Sequence, residues 1–319
     1  MSNPYLNPLR VRAALRALDV RPTRGMGQNF LIDGQALEAI VAAAELQPDD
    51  TVIEVGPGLG VLTWELTRRA ARTIAVELDK RLAARLHDEF RGAPLRIVQA
   101  DVLRVTPGEL LAQHGEERQP SEHEPGDRPA PLAEGNSLAP TSGAVAPGPA
   151  RPYKLVANLP YAITAPVLRH FLEAARPPEL SVVLVQWEVA QRITARPGDL
   201  SVLAHAVQLY AEPDIVARVP ATSFYPAPAV DSAVLRMRRR PELRVAVDDV
   251  DGLFRVIKSG FLQPRKQLGN ALPGGLATMG VKLSREAALA ALQTAGVDPA
   301  RRAETLTLEE WAALYRALG

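Results

Sequence analysis

The 319-residue chain contains no cysteine, which excludes disulfides, thiolate-held metals and a cysteine nucleophile. Its five histidines, His87, His114, His123, His170 and His205, show no H-x-E or H-x-x-x-H spacing, so no metal site is expected. No apolar run approaches the about 18 residues of a membrane span, and the first twenty residues have no signal-peptide core. The expected location is cytoplasmic, with no membrane partner. Net charge is also nearly missing: 37 basic residues against 36 acidic ones leave +1. As an average, that balance argues against a nucleic-acid binder. Lysine is scarce too, since 32 of the 37 bases are arginine. Codon bias would account for this, while guanidinium groups also suit phosphate and base-stacking contacts.

At 47% hydrophobic and 23% charged, the composition fits one large or two ordinary domains. Leu37, Ile40, Val41 and Ala44 share one face of a helix expected over 35–46. Strands follow at 51–55, 73–77 and 95–99, with helices at 60–72 and 79–90 between them. This alternation predicts βαβ units around a parallel sheet. Residues 114–150 then hold 12 prolines and glycines in 37 positions, with no Phe, Trp or Tyr and only three of Leu, Ile or Val. So little apolar area cannot offset ordering entropy, and a flexible insertion is expected. The sheet resumes at 153–157 and 181–186, with helices at 165–175, 189–194 and 200–210. Strands at 215–219 and 230–237 close it. After Arg240 only helical patterns remain, at 250–261, 266–272, 284–295 and 308–318. The expected division is residues 1–240 and a helical domain at 241–319.

Glu54-Val-Gly56-Pro-Gly58-Leu-Gly60 occupies a strand-to-helix junction. Glycines there let backbone N–H groups approach a ligand closely. A dinucleotide fingerprint would need glycine where Val61 stands, and the Gly-Lys-Ser/Thr of a P-loop is absent. Glu54 would repel a pyrophosphate but favour an ammonium group. Glu77, nineteen residues after Gly58, has the position of a ribose-diol acceptor. Asp101 follows the third strand, where a carboxylate can accept from an adenine amine. An adenosine half, an amino-acid half and no phosphate describe S-adenosylmethionine.

Asn158-Leu159-Pro160-Tyr161 directly follows the fourth strand. An exocyclic adenine amine is a poor nucleophile because its lone pair is delocalised into the ring. The Asn158 side-chain carbonyl and the Pro160 backbone carbonyl can each accept one amine hydrogen, positioning the nitrogen and stabilising its developing charge. Tyr161 can stack on a base turned out of its helix or loop.

With these motifs in place, the sequence resembles the bacterial small-subunit (16S) rRNA adenine N6,N6-dimethyltransferases of the KsgA/RsmA type. The resemblance rests on 27–31 (GQNFL), 54–60 (EVGPGLG), 77–79 (ELD), Asp101, Asn158–Tyr161, 224–234 (FYPAPAVDSAV), 265–267 (RKQ) and 296–301 (GVDPAR). It implies a Rossmann-like class I methyltransferase domain, a mostly parallel seven-stranded sheet with helices on both faces, plus a small C-terminal all-helical rRNA-binding domain. It implies cofactor contacts at Asn29, Leu31, Gly56, Glu77, Asp101 and Asn158, with the target base sandwiched by Tyr161 and Phe224. The implied reaction places two methyls on each of two adjacent adenosines in the hairpin loop near the 3′ end of 16S rRNA. The implied partner is the small subunit or its precursor, met by a monomer in ribosome biogenesis, and loss of such enzymes is associated with kasugamycin resistance. Two departures stand out: the 114–150 insertion, and a short 195–199 loop where relatives carry a longer one with a Tyr-Gly pair.

A large-subunit enzyme of the macrolide-resistance type shares this chemistry, but Asn158-Leu, Asp231-Ser-Ala-Val and Arg265-Lys-Gln count against it. A non-catalytic ribosome-assembly or transcription factor on the same scaffold would not need Gly56, Glu77, Asp101 and Asn158 together. Basic clusters fall at 1–28, at Arg236 with Arg238–Arg240, and at 253–270, and are expected to meet phosphate. The 114–150 insertion holds six acids and two bases, a balance of −4, which leaves +5 on the remainder. The neutral average therefore does not exclude RNA.

Overall fold

The computed structural model describes residues 3–19, 29–112 and 152–319. The expected insertion at 114–150 lies outside these residues, as do Arg21, Arg24, Gly27 and Gln28. An N-terminal helix, α1 (Pro8–Ala17), starts from an Asn7 cap with proline at its first position, a pairing suited to helix initiation. After it come β1 (Phe30–Leu31), α2 (Gly34–Ala43), β2 (Thr51–Val55), α3 (Val61–Leu66), β3 (Arg72–Glu77) and α4 (Lys80–Glu89). The chain continues through β4 (Leu95–Gln99), α5 (Pro107–Ala112), β5 (Lys154–Asn158), α6 (Thr164–Leu172), β6 (Leu180–Gln186) and α7 (Trp187–Ile193). Then follow α8 (Val202–Tyr210), β7 (Ala211–Val219), β8 (Phe224–Tyr225) and β9 (Ser232–Arg239). Four helices complete it: α9 (Val250–Phe261), α10 (Leu268–Thr278), α11 (Arg285–Thr294) and α12 (Leu308–Leu318).

Seven strands form one sheet in the order β4-β3-β2-β5-β6-β9-β7. Pairing is parallel from β4 to β6, and antiparallel where β9 joins β6 and β7. The expected α/β class, with a mostly parallel seven-stranded sheet, is therefore correct: β9 alone runs against the other six strands. The central strands are apolar on both faces because helices cover both. Ile53, Val55, Leu155 and Val183 pack with Val167 and Phe171 of α6, whereas Val52, Val156 and Val182 pack with Leu37 and Ile40 of α2. β7 begins four residues earlier than its sequence pattern suggests. Its first residues, Ala-Glu-Pro-Asp, lie on an edge that leaves one face to solvent and tolerates Pro213.

The helices after Arg240 share one core. Leu253, Ile257, Leu268, Leu272, Leu292 and Trp311 pack together and extend onto Ala206 and Leu209 of α8. Arg301 bridges this unit internally, donating to the Thr305 carbonyl at 2.7 Å and to the Glu310 carboxylate at 3.1 Å. The short 195–199 loop is tied to the same unit, since the N–H groups of Gly198 and Leu200 both donate to the Glu304 carbonyl. α10 runs through Pro273, past the end expected at 272. Burial of Leu276 and Gly275 against α9 outweighs the hydrogen bond lost at proline.

That packing yields a paired prediction. A Cβ on Gly275 would lie 2.1 Å from the Ser259 carbonyl oxygen, while one on the exposed Gly274 meets nothing closer than 3.7 Å. Gly275→Ala should destabilise by about 1–3 kcal/mol through overpacking. Gly274→Ala should stabilise by up to about 1 kcal/mol through helix propensity. Urea denaturation of both variants checks the opposite signs; equal effects would refute the close α9–α10 contact.

Candidate functional site

A cleft opens at the carboxyl ends of β2, β3 and β5, a place where small-molecule sites are common in α/β sheets. The strand order reverses direction between β2 and β5, the place where open α/β sheets bind ligands. The turn after β2 supplies Gly56, Pro57, Gly58 and Leu59, and the turn after β5 supplies Asn158 to Tyr161. Gly56 and Gly58 adopt φ of +66° and +58°, a region costly for other residues. A Cβ on Gly56 would lie 3.6 Å from Pro160, and one on Gly58 would lie 3.1 Å from the Phe30 ring. Gly60 serves differently: its Cβ would strike Phe90 and Leu86 at under 3 Å, so it seats α3 against α4.

Two buried carboxylates line the cleft. Glu54 is 1% exposed and accepts the Thr63 hydroxyl at 2.7 Å. Burial is the main cause that raises its pKa to about 8, with the Thr63 bond opposing and nearby Glu77 adding to the rise. Glu77 accepts the N–H of Gly58 at 3.1 Å and of Asp79 at 2.9 Å. Burial raises its pKa as well, against these backbone bonds. Each Glu77 oxygen keeps a lone pair for a ribose hydroxyl. Glu54 offers a dry carboxyl to an ammonium group. S-adenosylmethionine fits this donor set.

Asn158 is oriented by its neighbour. Its side-chain amide donates to the Asn29 carbonyl at 3.1 Å, and its Oδ1 has no protein donor among the described residues. The Pro160 carbonyl accepts the Ile163 N–H at 3.1 Å and retains its second lone pair. The Tyr161 hydroxyl is fixed 2.6 Å from the buried Ser232 hydroxyl, so the ring is held at the rim.

Of the residues expected from sequence, Asn29, Leu31, Gly56, Glu77, Asn158, Pro160 and Tyr161 come together in the cleft. Asp101 does not line it; it follows β4 beside Glu77, where the Ala100 N–H bonds the Glu77 carbonyl, and it bonds the Leu103 N–H. Phe224 does not line the cleft: it is 3% exposed and packs with Val219 and Val234, paired opposite Leu31. The second basic cluster is also corrected. Arg236, Arg238 and Arg240 lie at the amino end of β6, away from the cleft, in ion pairs with Asp214, Glu45 and Glu212.

Tyr5 and Val11 form a wall of the cleft that sequence reasoning missed. The i, i+4 spacing of Val11 and Leu15 behind Asn7-Pro8 carried the signal. Their segment is anchored by Asn3 on the Val61 carbonyl, by Tyr5 on Glu89 and by Arg81 on the Asp19 carbonyl. Thr63, the partner of Glu54, was missed too, and no pattern marked it.

The family model for ribosomal RNA adenine dimethylase matches residues 22–318. Ribosomal RNA small subunit methyltransferase A of Dehalococcoides mccartyi is 41% identical over 95% of this chain and 90% of its own. The protein of the same name from Moorella thermoacetica is 41% identical over 98% of this chain and 97% of its own. Among solved structures, the 23S rRNA methyltransferase ErmE is 28% identical with a TM-score of 0.60, covering 91% of this chain and 99% of that one. A dimethyladenosine transferase from Plasmodium falciparum, 20% identical, shares the fold with a TM-score of 0.65 over 89% of this chain and 95% of that one.

The buried Glu54 generates a pH prediction. Its folded pKa of about 8 lies above the ordinary value of 4.5, so the native state holds a proton that the unfolded chain releases. Its contribution to stability is full below about pH 4.5 and is lost as pH rises through about 8. Glu54→Gln should flatten this part of the stability profile, measured by denaturation from pH 5 to about 9. An unchanged slope would show that Glu54 ionises freely in the fold.

Proposed function

Since the chain belongs to the ribosomal RNA adenine dimethylase family, we propose that it dimethylates two adjacent adenosines in the hairpin loop near the 3′ end of 16S rRNA. The setting is the small ribosomal subunit or its precursor, in the cytoplasm, with the enzyme acting as a monomer. The choice of small subunit is supported by the 41% identical relatives, against 28% for the 23S enzyme. S-adenosylmethionine, when bound, supplies an electrophilic methyl group.

The observation that carries this reading is the bond from the Asn158 amide to the Asn29 carbonyl. It leaves Asn158 Oδ1 without a protein donor among the described residues, on a residue that lines the cleft together with Pro160, so that the side chain of one and the carbonyl of the other are two acceptors for the two hydrogens of an adenine amine. Holding both hydrogens turns the nitrogen lone pair away from the ring and stabilises positive charge forming on nitrogen. After one methyl is in place, one hydrogen remains and one acceptor suffices, so the same pair serves the second transfer. Tyr161 offers its ring face to the base, held by Ser232. Gly56 and Leu31 bound the cofactor, Glu77 takes its ribose, Asp101 takes its adenine amine from the rim, and Glu54 faces its ammonium end.

Residues 1–240 form the methyltransferase domain in this reading, and 241–319 grip rRNA. Arg255, Lys258, Arg265 and Lys266 are exposed, and no carboxylate pairs with them among the described residues. Arg265, Lys266, Gln267, Asn270 and Arg302 edge one surface recess. Free guanidinium and ammonium groups at this spacing suit a phosphate backbone.

Mapping dimethyladenosine on rRNA from strains with and without the gene tests the assignment. The two adjacent marks on small-subunit rRNA should disappear without it; marks lost from large-subunit rRNA would reassign the substrate. Asn158→Ala should lower kcat by about 100-fold or more, as loss of a positioned polar group does, with subunit binding kept. Unchanged methylation would remove the acceptor role of Asn158.

A further inference from the structure

Phe224 is turned into the core, and this raises the question of which aromatic side chain on that strand meets RNA. β1 and β8 pair with Phe30 opposite Tyr225 and Leu31 opposite Phe224. Side chains of directly opposed residues project on one face, and neighbours along a strand project on opposite faces. Tyr225 therefore stands on the Phe30 side, the side covered by Val11 and Leu15 of α1, while Phe30 and Leu31 both reach the cleft. Tyr225 itself does not line the cleft. It is half-buried and packs against the cluster of Phe30, Val11 and Leu15, of which Phe30 and Val11 line the cleft.

The Arg12 guanidinium lies over the Tyr225 ring, 4.8 Å from its centroid. Arg12 is exposed on α1, next to Val11, which forms part of the cleft wall. Arg10 and Arg16 are exposed on the same helix, and none of the three has a carboxylate partner among the described residues. An aromatic ring with a guanidinium above it and two free arginines alongside has the chemistry of a single-stranded nucleotide site: both planes stack on a base, and the charges take its phosphates.

We propose that Tyr225 and Arg12 clamp the unpaired nucleotide adjacent to the adenosine held at Asn158. The clamp rests on the rRNA reading above, in which two neighbouring adenosines are modified. While one occupies the cleft, the other stacks on Tyr225 one step outside. Arg12 stands on a flexible stem, so it lifts to admit the base and closes on its far face. Because α1 presents Val11 to the cofactor cleft and Arg12 to the clamp, one helix borders both sites.

The test uses the full chain and a fluorescein-labelled hairpin RNA with two adjacent loop adenosines, read by anisotropy. Tyr225→Ala should weaken RNA binding about tenfold, while Tyr225→Phe stays within about twofold of the parent. Arg12→Ala should weaken it less and reduce the salt dependence by about one phosphate contact. S-adenosylmethionine affinity, measured by calorimetry, should change less than about twofold in all three variants. Replacing one loop adenosine with an abasic nucleotide should cost the parent about tenfold and cost Tyr225→Ala no more, as expected for a coupled pair. Unchanged RNA affinity in Tyr225→Ala, equal loss of cofactor affinity, or additive losses with the abasic RNA would each overturn the clamp. Absence of rRNA methylation by the parent enzyme would overturn the rRNA reading instead, since the binding measurements decide the clamp without turnover.

Discussion

The site depends on how closely two backbone turns approach each other. Gly56 leaves β2 at φ +66°, and the place a Cβ would occupy is 3.6 Å from Pro160. That approach is possible because β2 and β5 are hydrogen-bonded neighbours in the sheet although about a hundred residues separate them in the chain. It places the glycine turn after β2 and the Asn158–Tyr161 turn in one cleft. Methyl transfer needs donor and acceptor aligned within a few tenths of an ångström, and positioning of this kind supplies much of such a rate enhancement. A Cβ at position 56 would meet Pro160 only at ordinary contact distance, so it is the left-handed turn at φ +66° that requires glycine there.

The two carboxylates in that cleft show how burial is made tolerable in different ways. Glu77 is surrounded by backbone N–H donors, which favour its charged form and partly offset desolvation. Glu54 has a single hydroxyl partner and rises to about 8, so near neutral pH it stays largely protonated until a cation arrives. The first is prepared for hydroxyl ligands; the second responds to charge. Stability is given up at Glu54 in a place where binding restores it, as is common where titratable groups are strongly perturbed.

Much of this arrangement was legible in sequence because its signals are local. Glycine spacing, apolar strands and an Asn-Leu-Pro-Tyr turn each report on adjacent residues, and Glu54, Glu77 and Asn158 could be placed at strand ends. What was hidden is pairing between distant segments. The burial of Phe224 comes from its packing with Val219 and Val234, which no property of residues 224–225 reveals. The Arg236–Arg240 run reads as a phosphate surface until Glu45 and Asp214 are found opposite it. The continuation of α10 through Pro273 depends on α9 being there to pack against. α1 was a different case: its cap and spacing were present, but its charge drew attention away from its apolar face.

Charge placement explains why the overall balance says so little. At the amino ends of the strands, Lys154 lies between Asp50 and the Glu45 carbonyl, and Arg236 and Arg238 share the Glu45 carboxylate. These groups neutralise one another and hold the lower edge of the sheet to α2. Around the cleft, Arg10, Arg12 and Arg16 have no such partners among the described residues. A field built from unpaired charges on one face attracts a polyanion and orients it, even when the whole chain sums to nearly zero. Which arginines are paired and which remain available to a polyanion is decided only by the folded arrangement.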